Sequence, residues 1–185
     1  MGADWVHGPA RLSLTLFANH LDNAIANVTI TGTNNNRREN LDAVTSKGAE
    51  VSGGYDFGPI SADFSYAFTD ARVKSQVALL DDQRPAQLPK HMASFSLRGD
   101  KEARVGGFVT ARYIGPQNED DLGALRLKGV FTADAGVNLR LNDHWKLEAR
   151  GENLLDAMVP AAISSGGIVE RAMPRTLWLG LRFGY

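Results

Sequence analysis

The sequence predicts an all-β fold: an antiparallel sheet of about eight strands, of the kind that builds transmembrane β-barrels. Three observations lead to this prediction. Apolar and polar residues alternate with period two along short segments of the 185-residue chain. Short and long connections between these segments alternate strictly. No segment predicts a helix, and no apolar run approaches the roughly 20 residues that a membrane-spanning helix needs.

Eight segments carry the alternating pattern that is typical of strands with one apolar and one polar face. In the first segment the even positions are apolar, and the same phase returns as far as Ile30, so one long strand is expected there. The pattern is most regular in the last three segments. In chain order the segments are Ala10–Asn19, Ala49–Phe57, Ile60–Thr69, His91–Gly99, Val105–Tyr113, Phe131–Leu141, Trp145–Glu152 and Leu177–Tyr185.

The connections between these segments are of two kinds. Tight links suited to hairpins occur at Gly58-Pro59, Asp100–Ala103 and Asn142–His144. Longer links rich in Gly, Pro, Asn and Asp alternate with them, at Thr31–Asn36, Lys74–Pro89, Gly115–Ala124 and Asp156–Glu170. Bacterial outer-membrane barrels have short periplasmic turns and longer outer loops, whereas a soluble meander has no reason to place all its short turns at one end.

Alternation alone also occurs in β-sandwiches and lipocalin-like barrels, but the two faces favour a membrane barrel. The polar face carries both signs of charge with many Ser, Thr and Gly, as a hydrated lumen would. The apolar face has Ala, Val and Leu in mid-strand and aromatic residues near strand ends, like the aromatic girdles at membrane interfaces. These aromatics are Tyr55, Phe57, Trp145, Phe183 and Tyr185 beside short turns or the terminus, and Tyr113 at the opposite end.

Composition excludes several classes of function. Twenty Lys and Arg against 21 Asp and Glu leave a net charge of −1, which argues against a nucleic-acid binder that depends on phosphate neutralisation. The lack of cysteine excludes a disulfide scaffold, thiolate zinc sites and cysteine nucleophiles. The first residues do not have the basic and apolar regions of a signal peptide, so we expect 1–9 to be an N-terminal tail or periplasmic turn.

Few groups in the sequence could converge in an active site, so we expect no enzyme, no metal site and no cofactor. His7, His20, His91 and His144 are scattered without metal-ligand spacing. We interpret His91 and His144, which flank strand ends, as interfacial or solvated residues. Glu119–Asp121 forms an acidic run in a long loop, and we interpret it as a solvated loop tip, with cation binding as the alternative.

Three further features lie in loops or at strand bends. Asp81, Asp82 and Arg84 in the longest loop could contact a ligand. Arg37-Arg38 at an outer loop base could contact lipopolysaccharide phosphate or be ordinary surface charge. The glycine pairs at 53–54, 106–107 and 166–167 are interpreted as strand-bend or loop glycines.

Six segments of the chain, in this order, match the pattern of a known family. They are Phe17–Ile25 (FANHLDNAI), Asn40–Glu50 (NLDAVTSKGAE), Phe64–Ala71 (FSYAFTDA), Leu88–His91 (LPKH), Glu152–Asp156 (ENLLD) and Pro174–Tyr185 (PRTLWLGLRFGY). Through them, Leu12–Tyr185 resembles the C-terminal part of the β-barrel of TonB-dependent outer-membrane receptors. The chain departs from that pattern at Leu155, where the family usually has an aromatic residue, and at Met173-Pro174-Arg175, where it has Pro-Gly-Arg.

The resemblance implies a barrel of 22 strands around an N-terminal plug domain. Residues 10–185 would form a C-terminal segment of it, partial and open, in the bacterial outer membrane, with the plug domain absent. The family's function implies energy-coupled uptake of a ligand such as a ferric siderophore, with TonB acting only through the missing plug region. A fragment of this kind is not expected to transport by itself.

The resemblance also implies partners. The outer-membrane barrel-assembly machinery would read the terminal strand, with Leu179, Leu181, Phe183 and Tyr185 as the signal. Outer-membrane lipid and lipopolysaccharide would surround the barrel. Two alternatives stay open: a self-contained eight-stranded structural barrel of the outer membrane, and a soluble ligand-binding β protein with its apolar face turned inward.

Overall fold

The computed structural model of the chain describes residues 1–30, 36–99, 103–164 and 167–184, and every regular element in these ranges is a β-strand. Within the same ranges, no helix is long and apolar enough to cross a bilayer. The strands are β1 (Gly2–His7), β2 (Ala10–Asp22), β3 (Ile25–Thr29), β4 (Asn36–Asn40), β5 (Ala43–Asp56), β6 (Ile60–Lys74), β7 (His91–Gly99), β8 (Val105–Ile114), β9 (Gln117–Asn118), β10 (Arg126–Leu127), β11 (Val130–Arg140), β12 (Trp145–Glu152), β13 (Pro160–Ile163), β14 (Val169–Arg171) and β15 (Thr176–Phe183).

Nine strands form one antiparallel sheet in the order β1-β2-β5-β6-β7-β8-β11-β12-β15. This sheet contains all eight predicted strands and confirms the all-β, antiparallel fold. It is open, because β1 and β15 each pair with a single neighbour and form its two edges. Residues 1–9 were expected to be a tail or turn, and this is wrong for Gly2–His7, which pairs with β2. The sequence does not predict β1, because the strand has only six residues and the apolar Val6 interrupts the alternation on its polar side.

The main strands connect at two different ends. Short turns follow β1, β5, β7 and β11, and we call this the turn end. Long connections follow β2, β6, β8 and β12 at the opposite, loop end, which confirms the predicted alternation. Three of these long connections contain small ladders, β3 with β4, β9 with β10 and β13 with β14. Of the predicted connections, residues 31–35, 100–102 and 165–166 lie outside the described ranges.

The single long strand expected from Ala10 to Ile30 is wrong. β2 ends at Asp22, and Asn23 adopts a positive φ of 53°, a left-handed conformation that Asn tolerates better than most residues. The turn redirects the chain into β3, which pairs with β4 in a separate sheet. The apolar phase is the same on both sides of the turn, so periodicity alone could not reveal the break.

Burial is inverted at mid-sheet relative to a soluble protein. On the polar face Ser96 and Thr110 are 8% and 9% exposed, whereas their apolar-face neighbours Phe95 and Val109 are 47% and 52% exposed. The sheet therefore curves around its polar face and leaves its apolar face uncovered. A contiguous apolar surface of this extent is typical of an interface with another apolar phase rather than with water.

The buried hydrophobic cluster lies at the loop end, away from mid-sheet. Leu41, Val73 and Leu80 are buried together, and Val28, Val44 and Leu122 pack against them. Val44 and Val73 are register partners on the polar side of β5 and β6. The long connections at the loop end thus fold inward over the polar face and pack against one another there.

Candidate functional site

A row of hydroxyl and charged side chains crosses the polar face at mid-sheet. Backbone register aligns one residue from each of seven consecutive strands: Asp4, Ser13, Ser52, Ser65, Ser94, Arg112 and Thr132. Within the row, the Oγ atoms of Ser65 and Ser94 are hydrogen-bonded at 2.8 Å. The Oγ of Ser96 and the Oγ1 of Thr110 form a parallel bond of 3.0 Å one row away. Period-two alternation brings these residues together, as predicted for a hydrated lumen wall.

Gly54 lets an ion pair cross this wall. Arg11 on β2 donates to the Oδ1 of Asp63 on β6, although β5 lies between those two strands. A Cβ at Gly54 would lie 2.4 Å from Nη2 of Arg11 and 2.8 Å from Oδ1 of Asp63. A side chain at position 54 would displace the guanidinium and the carboxylate, so the glycine that was interpreted as a bend residue leaves room for this ion pair.

A second ion pair ties the wall to a loop-end turn. Arg112 on β8 donates through Nη1 to Oδ2 of Asp134 on β11. The backbone N–H of Asn153 donates to the other carboxylate oxygen of Asp134 at 2.8 Å. Asn153 is buried and has a positive φ of 47°. Its side chain exchanges hydrogen bonds of 2.9 and 3.0 Å with the backbone of Ala157. One carboxylate therefore positions the turn that leaves β12.

Two cavities open on this wall. One of about 480 Å³ is lined on the polar side by Ser13, Glu50, Ser52, Ser94 and Arg112, among others. A neighbouring cavity of about 340 Å³ includes Asp4, Arg11 and Asp63. Among the lining residues, Arg11 is paired with Asp63, Arg112 is paired with Asp134 outside the cavity, and the hydroxyls of Ser65 and Ser94 are bonded to each other. Such a surface is suited to water and polar solutes passing along it rather than to nucleophilic or acid-base catalysis.

A third cavity lies among the outer connections. It measures about 380 Å³ and is lined by the apolar residues Val28, Ile30, Val77, Leu79, Leu80 and Leu122, with Arg37 and Glu39 at its polar side. Arg37 and Glu39 form an ion pair through two guanidinium nitrogens. The sequence analysis named Asp81, Asp82 and Arg84 only as residues that could contact a ligand, and it missed this cavity, because its walls come from three separate connections.

The charged residues of the longest loop have structural partners. Asp82 contacts Arg72 and Lys74, and Arg84 donates to Asp70 at 2.6 Å. Asp81 accepts a hydrogen bond from the backbone of Ser75. In the acidic run, Asp120 accepts from the backbone N–H groups of Ala124 and Leu125, so it stabilises its own turn. Within the described ranges, no three His, Cys, Asp or Glu side chains group as metal ligands would.

The four histidines are not brought together. His91 bonds through Nδ1 to the hydroxyl of Tyr66 at 2.8 Å and packs against Phe68 at the loop end of the apolar face. His144 stacks on Phe183, and His7 on Trp5, both at the turn end. His20 contacts Asp22. The interfacial interpretation of His91 and His144 agrees with their aromatic neighbours.

The apolar face has a limited height. On β6 its outward residues run from Ile60 to Phe68, and the next outward positions are Asp70, Arg72 and Lys74. Eight residue steps span about 27 Å along the strand at ~3.4 Å per residue. A strand tilt of about 40° reduces this to about 21 Å, comparable to the roughly 25 Å apolar band of outer-membrane barrels.

The terminal strand lies at a sheet edge with its apolar residues uncovered. Leu179, Leu181 and Phe183 are 77%, 59% and 64% exposed, and they pair with Ala149, Leu147 and Trp145 of β12. Phe183 also packs against the Trp145 ring, with ring centroids 4.8 Å apart. Tyr185, the last of the four predicted signal residues, lies outside the described ranges.

Comparison with known proteins identifies one family and a set of similar structures. A family model described as "TonB dependent receptor-like, beta-barrel" matches residues 1–154. The ferric yersiniabactin uptake receptor FyuA from Yersinia pestis aligns with a TM-score of 0.82 at 17% identity, over 98% of this chain and 28% of that one.

Two further receptors align in the same way. The ferric-catecholate import receptor Fiu from E. coli K12 gives a TM-score of 0.76 at 21% identity over 98% of this chain. The siderophore receptor PiuA from Acinetobacter baumannii gives 0.78 at 15% identity over 100% of this chain. This chain spans 26% of the length of Fiu and 27% of that of PiuA.

Proposed function

Since the chain belongs to the TonB-dependent receptor β-barrel family, whose members are outer-membrane transport receptors rather than enzymes, we propose that it forms part of the wall of a receptor for energy-coupled uptake of a small ligand. The observation that carries the proposal is that one sheet has an apolar face and a polar face. An apolar face of membrane height is backed by a wall of hydroxyls and ion pairs with no catalytic grouping in the described ranges. Such a wall supports passage of a polar solute and not its conversion.

A ferric siderophore or similar chelate is the ligand class that we propose. Three structurally similar proteins are described as receptors for ferric catecholate, ferric yersiniabactin and siderophore. The cavity among the outer connections would be this chain's contribution to ligand capture. Its apolar lining would accept the organic part of a chelate.

We further propose that this segment does not transport by itself. An open sheet of nine strands has no closed lumen, and its two edge strands leave backbone N–H and C=O groups unpaired, which is costly in lipid. TonB would act through the plug region of a complete receptor and not through this sheet.

A chimaeric receptor tests these proposals. The corresponding segment of Fiu is replaced by this chain, and uptake of iron-55 as ferric catecholate is measured in E. coli cells that lack their own catecholate receptors. We expect TonB-dependent uptake by the chimaera and none by this chain expressed alone. A chimaera with Leu12→Asp and Leu14→Asp on the apolar face should fail to assemble and serves as the control.

Two results would contradict the proposal. A chimaera that assembles in the outer membrane but takes up no ligand would mean that this wall does not support transport. Uptake by this chain alone would overturn the statement that it is incompetent.

We also propose that β15 carries the assembly signal read by the barrel-assembly machinery, through Leu179, Leu181, Phe183 and Tyr185. The exposure of the first three on an edge strand supports this, because an edge presents both side chains and unpaired backbone groups to another protein.

A further inference from the structure

The cavity among the outer connections has an aliphatic lining that lies on the aqueous side of the sheet. Its base is shared with the buried cluster at the loop end, because Leu80 and Leu122 belong to both. That cluster packs on Val44 and Val73, on the polar side of β5 and β6. The lining is therefore separated from lipid by the sheet itself, and a contiguous apolar surface that meets water is typical of a binding site.

One turn after β6 both anchors this lining and leaves part of it open. The backbone N–H groups of Leu80 and Asp81 donate to the carbonyl of Val77 at 2.9 and 3.1 Å. Within this turn Leu80 is buried, whereas Val77 and Leu79 are 49% and 60% exposed. Ile30, from the connection after β2, is 42% exposed on the same cavity. The turn therefore holds an open aliphatic surface in place before a ligand arrives.

The size of the cavity limits what it can hold. At about 380 Å³ it is at the small end of ligand sites, which measure about 300–1,000 Å³, so it has room for one arm of a chelate rather than for a whole one. The adjoining residues 31–35, which lie outside the described ranges, have the sequence TGTNN and carry no large apolar side chain that could fill it.

The charged residues at the polar side of the cavity neutralise each other. Arg37 and Glu39 lie two residues apart on one face of β4, and Arg37 is the register partner of Val28. The guanidinium donates through Nε and Nη2 to the same carboxylate oxygen, Oε1 of Glu39. Arg38 lies between them in the chain and therefore faces the other side of β4. The cavity is thus bordered by a satisfied ion pair rather than by a free cation.

The other charged residues near the lining do not favour an anion either. Asp81 and Asp121 each adjoin a lining leucine in the chain. Arg72 and Lys74 contact Asp82 on the outward side of β6. An anionic group in the cavity would meet carboxylates and a cation that is already neutralised. An uncharged apolar group would meet the aliphatic lining without giving up its own hydration by water to a site that cannot replace it.

We propose that this cavity binds an uncharged aliphatic arm of the transported chelate, such as a short acyl chain, and not its anionic or metal-binding part. Among the described lining residues none is aromatic, so the site offers no ring on which an aromatic chelating group could stack. Affinity would come from burial of methylene groups against fixed aliphatic walls. The inference rests on the proposed uptake of a chelate and names the part of it that this chain recognises.

The test uses the whole chain folded in lipid vesicles, with folding verified by heat-modifiable gel mobility. The probes are iron-55 complexes of desferrioxamine B acylated at its free amine with an acetyl, a hexanoyl or a succinyl group. The acetyl and hexanoyl complexes are both uncharged and differ in chain length, whereas the succinyl complex ends in a carboxylate. Binding is measured by equilibrium dialysis, and vesicles of the same lipid without protein correct for partition into the bilayer.

We expect the hexanoyl complex to bind at least about tenfold more tightly than the acetyl complex, equivalent to about 1.4 kcal/mol. The succinyl complex should bind no more tightly than the acetyl complex. Val77→Asn and Leu79→Asn should each lower the hexanoyl preference at least about threefold, because each places an amide on the open part of the lining. Ile168→Asn is the matched control, since it changes an exposed apolar residue of another connection, and the preference should stay the same.

A charge variant tests the role of the ion pair. Glu39→Gln releases the guanidinium of Arg37 from its carboxylate, so the succinyl complex should bind this variant severalfold more tightly than it binds the unchanged chain. No gain in succinyl binding would contradict the statement that the ion pair is what makes the cavity unfavourable to an anion.

Three results would overturn the proposal: equal affinity for the acetyl and hexanoyl complexes, an equal loss of the preference in Ile168→Asn, or tightest binding of the succinyl complex to the unchanged chain. These outcomes are distinct from failure of the proposed uptake. Ferric catecholate uptake by the chimaera, combined with no hexanoyl preference in this chain, would remove the acyl site and leave the transport proposal standing. A hexanoyl preference in a chain whose chimaera takes up no ligand would support the site and contradict transport.

Discussion

Asp134 shows how one carboxylate can be held on the polar face of the sheet by its hydrogen-bond partners. Its carboxylate receives Arg112 from the next strand and the backbone N–H of Asn153 from the turn beyond β12. The Asp134 side chain is 13% exposed, whereas that of Arg112 is half exposed. Replacing the Asp134 carboxylate with a neutral group is costly, because Arg112 and the backbone N–H of Asn153 then both lose a charged acceptor.

Replacement of Asp134 by Asn is expected to lower the free energy of unfolding by about 1–2 kcal/mol, with the partial exposure of Arg112 keeping the loss below that of a fully buried pair. Urea titration of the chain folded in lipid vesicles measures it. Asp143→Asn in the exposed turn after β11 should change stability by no more than ~0.5 kcal/mol. Equal effects of the two substitutions would show that Asp134 has no special role.

Residue-scale features were only partly predictable. The sequence identified Gly53-Gly54 as special but not the reason, since the crossing of Arg11 to Asp63 depends on register between three strands. Period two predicts which face a residue occupies, whereas the partner across the sheet depends on turn lengths. For the same reason the sequence does not predict the cavity beside Arg37, whose lining comes from three separate connections.

At the scale of elements, eight of the nine strands of the main sheet were predictable, but strand length was not. All eight alternating segments form strands, but β5 and β6 continue to Ala43 and Lys74, well past the residues that carry the apolar pattern. Beyond the membrane band the alternation of β6 is reversed: the outward positions Asp70, Arg72 and Lys74 are charged, whereas Ala71 and Val73 on the other side are apolar and buried.

β15 yields a prediction at this scale. Phe183→Ala should lower the free energy of unfolding by only about 1–2 kcal/mol, because the ring is largely exposed. If the barrel-assembly machinery recognises this residue, the same substitution should lower the amount of protein assembled in cells severalfold. Deletion of Tyr185 should act in the same way. The amount of folded protein in outer-membrane fractions is the measurement.

Phe131→Ala on β11 is the matched control, since Phe131 is also an outward aromatic residue and is half exposed. Its assembly in cells should stay near that of the unchanged chain. A similar fall for Phe131→Ala and Phe183→Ala would mean that both residues act through lipid contact alone, without a signal.

For the molecule as a whole, average composition conceals the membrane surface. The 43% hydrophobic content is ordinary, because a polar wall and an apolar exterior alternate at every second residue and cancel. The same alternation separates this fold from a soluble β protein, in which the apolar face would be buried. Here that face is uncovered, and the described residues buried at mid-sheet include hydroxyls.

The most direct test of this account asks which face meets lipid. The chain contains no cysteine, so Phe95→Cys on the apolar face and Ser94→Cys on the polar face can each carry a single NBD fluorophore. The two variants are assembled in vesicles with and without brominated phosphatidylcholine, which quenches fluorophores within the hydrocarbon. The account predicts strong quenching at position 95 and little at position 94, where aqueous iodide should quench instead. Equal quenching at both positions, or the reverse order, would contradict it.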